Sequence, residues 1–196
     1  MILYFDTETT GLHPGQICQL SYIMQSSESI KSRNFFFTVD EMEYSAFMVH
    51  GFSPEKLKFL SGGKRFKDYI DVIEKDFADA SLIVSHNTAF DFMFLREEFS
   101  RLNRVLTIEN EFCSMKKTTE LCRLSRSRGE GYKYPKLSEL CKFLDIYDFQ
   151  IKNATERFFD DQAGYHDARF DTSAVFLAMN ECMKAYDEFS YLKEFL

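Results

Sequence analysis

The chain has no tryptophan, no CxxC pair, no internal repeat and no low-complexity tract among its 196 residues. No apolar run approaches the roughly 20 residues that a membrane span requires, and no membrane partner is expected. The opening Met1-Ile2-Leu3-Tyr4-Phe5-Asp6 lacks the basic start and long apolar stretch of a signal peptide. The five cysteines (18, 113, 122, 141 and 182) are odd in number and scattered. Such spacing excludes a disulfide frame and a thiolate zinc site, and it points to reduced thiols in a cytoplasmic protein. No linker divides the chain, and its length suits one domain, 1–196, with a core it can bury unaided. Phenylalanine must fill much of that core, with 22 copies in a chain that is 45% hydrophobic.

A surplus of basic charge is also missing. The net charge of −7 by itself argues against a protein that coats nucleic acid non-specifically. The sign reverses locally, however. Residues 116–136 hold seven Lys/Arg (116, 117, 123, 126, 128, 133, 136) against Glu120 and Glu130, a local net of +5. Tyr132 and Tyr134 lie in the same stretch. Two readings stand side by side: a solvated loop, or a loop that contacts phosphates.

Residues 2–7 form a short apolar run ending in carboxylates, suited to a buried strand. Residues 16–25 and 32–39 read as two further strands in a meander. A loop and short helix follow over 45–60, where Ser53-Pro54-Glu55 fits an N-cap with proline at the first helical position. Residues 66–77 carry Phe66, Tyr69, Ile70, Ile73 and Phe77 at helical spacing. Residues 81–85 predict a buried strand, and Asn87 is placed to cap a helix ending near 102. Helices are further expected over 137–144 and 167–184, with one more in the last ten residues. Strands first, then strand–helix alternation, imply an α/β fold with a mixed sheet flanked by helices. The 116–136 segment reads as a long loop without regular structure, a kind that is usually functional or mobile.

Four acids in three places stand out. Asp6 and Glu8 are two apart on a strand, so they project to the same side at its carboxyl end. Two like charges there are costly unless a cation joins them; the bland reading is an exposed strand end grading into the turn at 10–15. Asp91, in His86-Asn87-Thr88-Ala89-Phe90-Asp91, falls about 60° from the centre of the stripe Phe92, Leu95, Phe99 and Leu102. A first-turn acid also suits a helix N-terminus without any metal. Asp171 lies on the apolar face of Ala174, Val175, Ala178 and Cys182, where a buried acid asks for a partner. His166, five residues earlier, would diverge from Asp171 by about 140° on one helix, so it is placed on the preceding loop beside Gly164. Oxygen-only positions of this kind suit Mg²⁺ or Mn²⁺. Of the other histidines, His13 reads as a surface loop residue and His86 as packed or hydrogen-bonded next to Asp91. His50 suits ligand contact and turn packing equally.

Asp6-Thr7-Glu8-Thr9-Thr10-Gly11-Leu12, His86-Asn87-x-x-Phe90-Asp91 and His166-x4-Asp171 resemble the three motifs of the DEDDh 3′→5′ exonuclease superfamily. Within it the chain is most similar to the proofreading (epsilon) subunit of bacterial DNA polymerase III and its stand-alone relatives. Val49-His50-Gly51-Phe52-Ser53 matches between the first two motifs, and the resemblance runs from Ile2 to about Met183. It implies a ribonuclease H-like fold with a mixed five-stranded sheet. It also implies two divalent metals on Asp6, Glu8, Asp91 and Asp171, the first bridging both and Asp91 acting through water. His166 matches the general base, and imidazole titrates close enough to neutrality to take a proton from water. Thr9, Gly11, Leu12, Val49, His50 and Phe90 match positions around the terminal nucleotide. The implied activity is release of nucleoside 5′-monophosphates from the 3′ end of a single strand.

The chain departs from that pattern in two places. Cys113-Ser114 stands where many relatives carry Asp-Thr, and 116–136 is longer than a minimal proofreading subunit needs. Relatives that trim short RNA carry a hydrophobic residue between the first two acids and Met after the second. Thr7 and Thr9 stand here, which favours DNA over RNA. Polymerase association is also possible, although no C-terminal extension supports it. A non-catalytic interaction module is the third reading, opposed by the five intact chemical positions.

Overall fold

The computed structural model of the chain describes residues 1–13 and 15–196. Its centre is β1 (Ile2–Thr9), which is buried along almost its whole length. Alternation along the strand divides its side chains between two cores. Ile2 and Tyr4 join one cluster, while Leu3 and Phe5 join the other. β2 (Ile17–Gln25) and β3 (Ile30–Phe36) continue the sheet antiparallel on one side. β4 (Leu82–Ser85) and β5 (Glu111–Cys113) extend it parallel on the other. The order β3-β2-β1-β4-β5 makes a mixed five-stranded sheet, as the motifs implied.

Between β3 and β4 run α1 (Tyr44–His50), α2 (Pro54–Leu60), a 3₁₀ turn (Phe66–Asp68) and α3 (Ile70–Ala78). α4 (Thr88–Arg101) joins β4 to β5. After β5 come α5 (Ser114–Lys117), α6 (Thr119–Cys122), α7 (Leu137–Phe143), α8 (Asp148–Phe159) and α9 (Ala168–Ala185). A 3₁₀ stretch over Asp187–Phe195 follows. One core lies between the sheet and α7, α8 and α9; the other lies under α3 and α4. Aromatic contacts set the second: Phe5 meets Phe77 edge-on and Phe92 at a tilt, each at 5.4 Å between centroids. The five cysteines are buried and unpaired. Among the described residues no helix is long and apolar enough to cross a membrane.

Several expectations change in detail. Ser53 does cap α2, accepting the Lys56 N–H at 3.2 Å with Pro54 at the first position. The helix read over 66–77 instead begins at Ile70, because the Asp68 carboxylate takes the Arg65 N–H at 2.7 Å and holds a separate turn. Asn87 precedes α4 in a left-handed conformation and makes no side-chain cap bond. The supposed loop 116–136 opens with α5 and α6, where Thr118 and Thr119 hydroxyls bind carbonyls four residues back. It continues as a hairpin-like ribbon, with a bridge between Ser125 and Tyr132 and Lys133 N–H on Leu124 O at 2.9 Å. α8 was not expected at all: only Ile151 and Thr155 are buried along it, too narrow a stripe to register as amphipathic. Pro14, within the turn read at 10–15, lies outside the described residues.

Candidate active site

Strand alternation assembles the site. Asp6 and Glu8 follow Ile2 and Tyr4 on the face that packs against α9, whose first turn supplies Asp171. One oxygen from each of these three carboxylates falls within 4.8 Å of the others. Thr7 points to the opposite face and meets α4, donating to Asp91 Oδ1 at 2.7 Å. Ser85, at the end of β4, donates to Asp91 Oδ2 at 3.0 Å. Asp91 is thus buried and held by two hydroxyls, beside the three-acid cluster rather than inside it.

The charges are strained by proximity. Withdrawal from water, then repulsion from Asp91, Asp171 and Glu8, lifts the Asp6 carboxyl well above the ordinary range. Glu8 rises for the same first reason, with Asp171 and Asp167 adding to it. Burial pushes Asp91 up to about 7, against the lowering effect of the Thr7 and Ser85 hydroxyls. Asp171 also reaches about 7, through loss of water contact and despite the His166 N–H it accepts at 3.2 Å. Among the described residues no Lys or Arg forms an ion pair with any of the four. Hard, oxygen-only donors without a counter-charge fit a divalent cation of the Mg²⁺ or Mn²⁺ type.

His166 sits exposed on the loop before α9, as expected, and adopts a left-handed backbone with φ of 61°. Asp167 behind it caps α9 through Arg169 N–H, accepts from Gln19 Nε2 at 2.9 Å and pairs with the Arg169 guanidinium. Arg169 also reaches Asp161 at 2.6 Å, so one guanidinium ties both ends of the His166 loop. Sequence reasoning missed this clamp and the two hydroxyls on Asp91. The Thr between the first two acids was the available signal, since strand alternation already sends it to the other face.

His86 does not bond to Asp91. Its Nδ1 lies 2.9 Å from Ser114 Oγ and its Nε2 lies 3.0 Å from the Pro135 carbonyl. Burial pushes the ring down to about 4, so it is neutral and Nε2–H donates to the carbonyl. His50 is also committed: Nδ1 accepts the Phe52 N–H at 3.0 Å, which leaves Nε2–H for the Thr9 carbonyl at 3.2 Å. Gly51, left-handed at φ 71°, ends α1 just after it, where a side chain would be strained. His13 is exposed.

The family model described as Exonuclease matches residues 3–176. The chain belongs to this exonuclease family. It is also similar to curated relatives named DNA polymerase III subunit epsilon. That of Rickettsia prowazekii is 33% identical over 146 residues, covering 71% of this chain and 60% of the relative. That of Escherichia coli is 30% identical over 158 residues, covering 74% and 60%. The chain therefore spans about 60% of the length of the curated relatives it matches. Among solved structures, E. coli exonuclease I in complex with an oligonucleotide superposes with a TM-score of 0.73 at 18% identity. The match covers 97% of this chain and 42% of that one. A metal-free exonuclease I complex with single-stranded DNA gives 0.70 at 17% identity, covering 97% and 41%. The fold is therefore the ribonuclease H-like fold of these exonucleases.

Two cavities border the acids. Thr9, Gly11, Leu12, Val49, His50 and Phe90 all lie on the wall of one, of about 280 Å³, which Glu8 also borders. The other, of about 620 Å³, has Asp6, Asp171 and His166 on its wall together with His86 and 134–138.

Proposed function

We propose that the chain is a metal-dependent 3′→5′ exonuclease that releases nucleoside 5′-monophosphates, DNA being the favoured substrate. The observation that carries this reading is the convergence of Asp6, Glu8 and Asp171 within 4.8 Å, without a basic partner, between two cavities. Two divalent ions held by Asp6, Glu8, Asp171 and, through water, Asp91 would activate a water and neutralise the charge that develops on the leaving 3′-oxygen. Thr7 and Ser85 fix the Asp91 carboxylate so that its orientation is set before substrate arrives. Leu12, Val49, His50 and Phe90, with Thr9 and Gly11, receive the terminal nucleoside in the smaller cavity. His50 is rigid there because both ring nitrogens are bonded to backbone. His166, exposed and bonded among the described residues through its backbone N–H alone, is free to take the proton of the attacking water. Water adds to phosphorus as the P–O3′ bond breaks, and the shortened strand departs with a 3′-hydroxyl.

The test is direct. Matched DNA and RNA strands labelled at the 5′ end are incubated with Mg²⁺, with Mn²⁺ and with EDTA. The expected result is stepwise shortening from the 3′ end, faster on DNA and absent in EDTA. Substantial hydrolysis with metal fully chelated would sink the metal-dependent reading, and faster RNA shortening would reassign the substrate.

A further inference from the structure

The larger cavity exceeds what the acids need. It falls within the range that takes a drug-sized ligand, and most of its wall is carbon. Met115, Pro135, Leu137, Cys141, Ile151, Phe170 and Ala174 make that wall between α7, α8 and α9. Two tyrosines flank it with their rings open to solvent: Tyr134 is 54% exposed and Tyr165 is 52% exposed. Covering these exposed rings with a ligand would remove apolar surface from water.

Neither tyrosine sits on a loose segment. Tyr165 is held from two sides, its hydroxyl donating to Asp148 Oδ1 at 2.5 Å and its ring packing on Phe170 at 4.8 Å. Tyr134 precedes Pro135, whose carbonyl takes the His86 Nε2–H. The same imidazole reaches Ser114 at the start of α5, so one half-buried ring pins the wall to the ends of β4 and β5. This wall is also the end of the +5 segment, and Lys136 lines the cavity itself. An apolar hollow, an accessible aromatic ring and adjoining positive charge together describe a stacking site for one base beside a phosphate path.

The position decides which base. The smaller cavity borders Glu8, and the larger one borders Asp6 and Asp171. With the terminal nucleoside in the smaller cavity, the larger one lies across the acid cluster from it. We infer that the larger cavity seats the nucleotide on the 5′ side of the scissile phosphate, its base stacked on Tyr134. This rests on the exonuclease reading and adds a specificity element to it: the enzyme engages a strand of at least two nucleotides, with the penultimate base splayed onto a fixed aromatic wall.

The experiment uses thymidine oligonucleotides with one abasic (tetrahydrofuran) residue, either at the penultimate or at the terminal position. For the wild-type protein with Mn²⁺, the penultimate abasic residue is expected to lower kcat/KM roughly tenfold, the usual worth of one base–aromatic stack. In Tyr134→Ala that penalty is expected to shrink to nearly nothing, since the partner is already gone. Tyr134→Phe keeps the ring and is expected to keep the penalty. The terminal abasic penalty, read by the other cavity, is expected to be equal in all three proteins. No penultimate penalty in the wild type, or an undiminished one in Tyr134→Ala, overturns the subsite while leaving the exonuclease reading intact. A wild-type protein that shortens no oligonucleotide with either metal removes the exonuclease reading, and the subsite with it.

Discussion

Asp171 is where charge, fold and the proposed metal site meet most openly. Its carboxyl is lifted to about 7 by withdrawal from water first and by Asp167 second, with the His166 N–H opposing. A carboxyl whose folded-state pKa exceeds its unfolded value stabilises the fold fully below that unfolded value, near 4. The contribution is then lost as pH rises through about 7. In EDTA, Asp171→Asn is therefore expected to melt increasingly above the wild type as pH climbs from 5 to 8. Thermal melts across that range check it, and a difference that stays flat with pH would contradict the assigned shift. Mn²⁺ is expected to raise the wild-type Tm more than the variant's, because the variant has lost a ligand charge. His166 makes a different claim. If it takes the proton of the attacking water, His166→Ala loses on the order of 10²–10⁴-fold in kcat. Oligonucleotide and Mn²⁺ affinities are expected to survive, since the acids remain. Calorimetry on the variant distinguishes the alternative: a large loss of metal or strand affinity, with kcat recovered at saturation, makes His166 a binding residue instead.

At the scale of elements, the ribbon after α6 sets the clearest question. Its backbone is tied by the Ser125–Tyr132 bridge, the Lys133–Leu124 bond and Arg126 Nε on the Tyr132 carbonyl at 2.9 Å. Arg123, Arg126 and Arg128 are exposed along it. The ribbon leads into the wall at Tyr134, and the proposed reading runs the phosphates upstream of the site along it. Replacing all three by Gln is expected to raise KM for strands longer than about six nucleotides. It is also expected to flatten the dependence of binding on salt, the logarithmic slope falling by roughly one for each phosphate no longer neutralised. Binding titrations from low to moderate salt read this; an unchanged slope and KM make the ribbon a solvated surface feature. The His166 loop is the contrasting element. Arg169 fastens it at Asp161 and Asp167, so it presents the histidine from a fixed frame even though the side chain is exposed.

Across the whole molecule, one central strand determines where everything else lies. The sequence by itself determined the sheet's order of events, the inward acids and the placement of His166 before a helix. These follow from period-two and period-3.6 patterning, which is local and survives in the bare chain. The resemblance to the exonuclease motifs also marked Thr9, Gly11, Leu12, Val49, His50 and Phe90, which the fold brings to one cavity wall. What it left open was pairwise and distant in sequence. Thr7 lies 84 residues from Asp91, and Gln19 lies 148 from Asp167. His86 was read as packed or hydrogen-bonded near Asp91; its partners, Ser114 and Pro135, stayed open because the direction of its ring depends on what the end of β5 brings alongside β4. α8 escaped notice since its burial rests on Ile151 and Thr155 alone, and a threonine does not read as core until a neighbour covers it. The larger cavity likewise has no signature in the chain: Met115, Tyr134, Ile151, Tyr165 and Phe170 come from separate segments and become one wall only when α7, α8 and α9 pack against the sheet. Periodicity is carried by neighbours along the chain, whereas partners across it are selected by close packing, which exists only in the folded state.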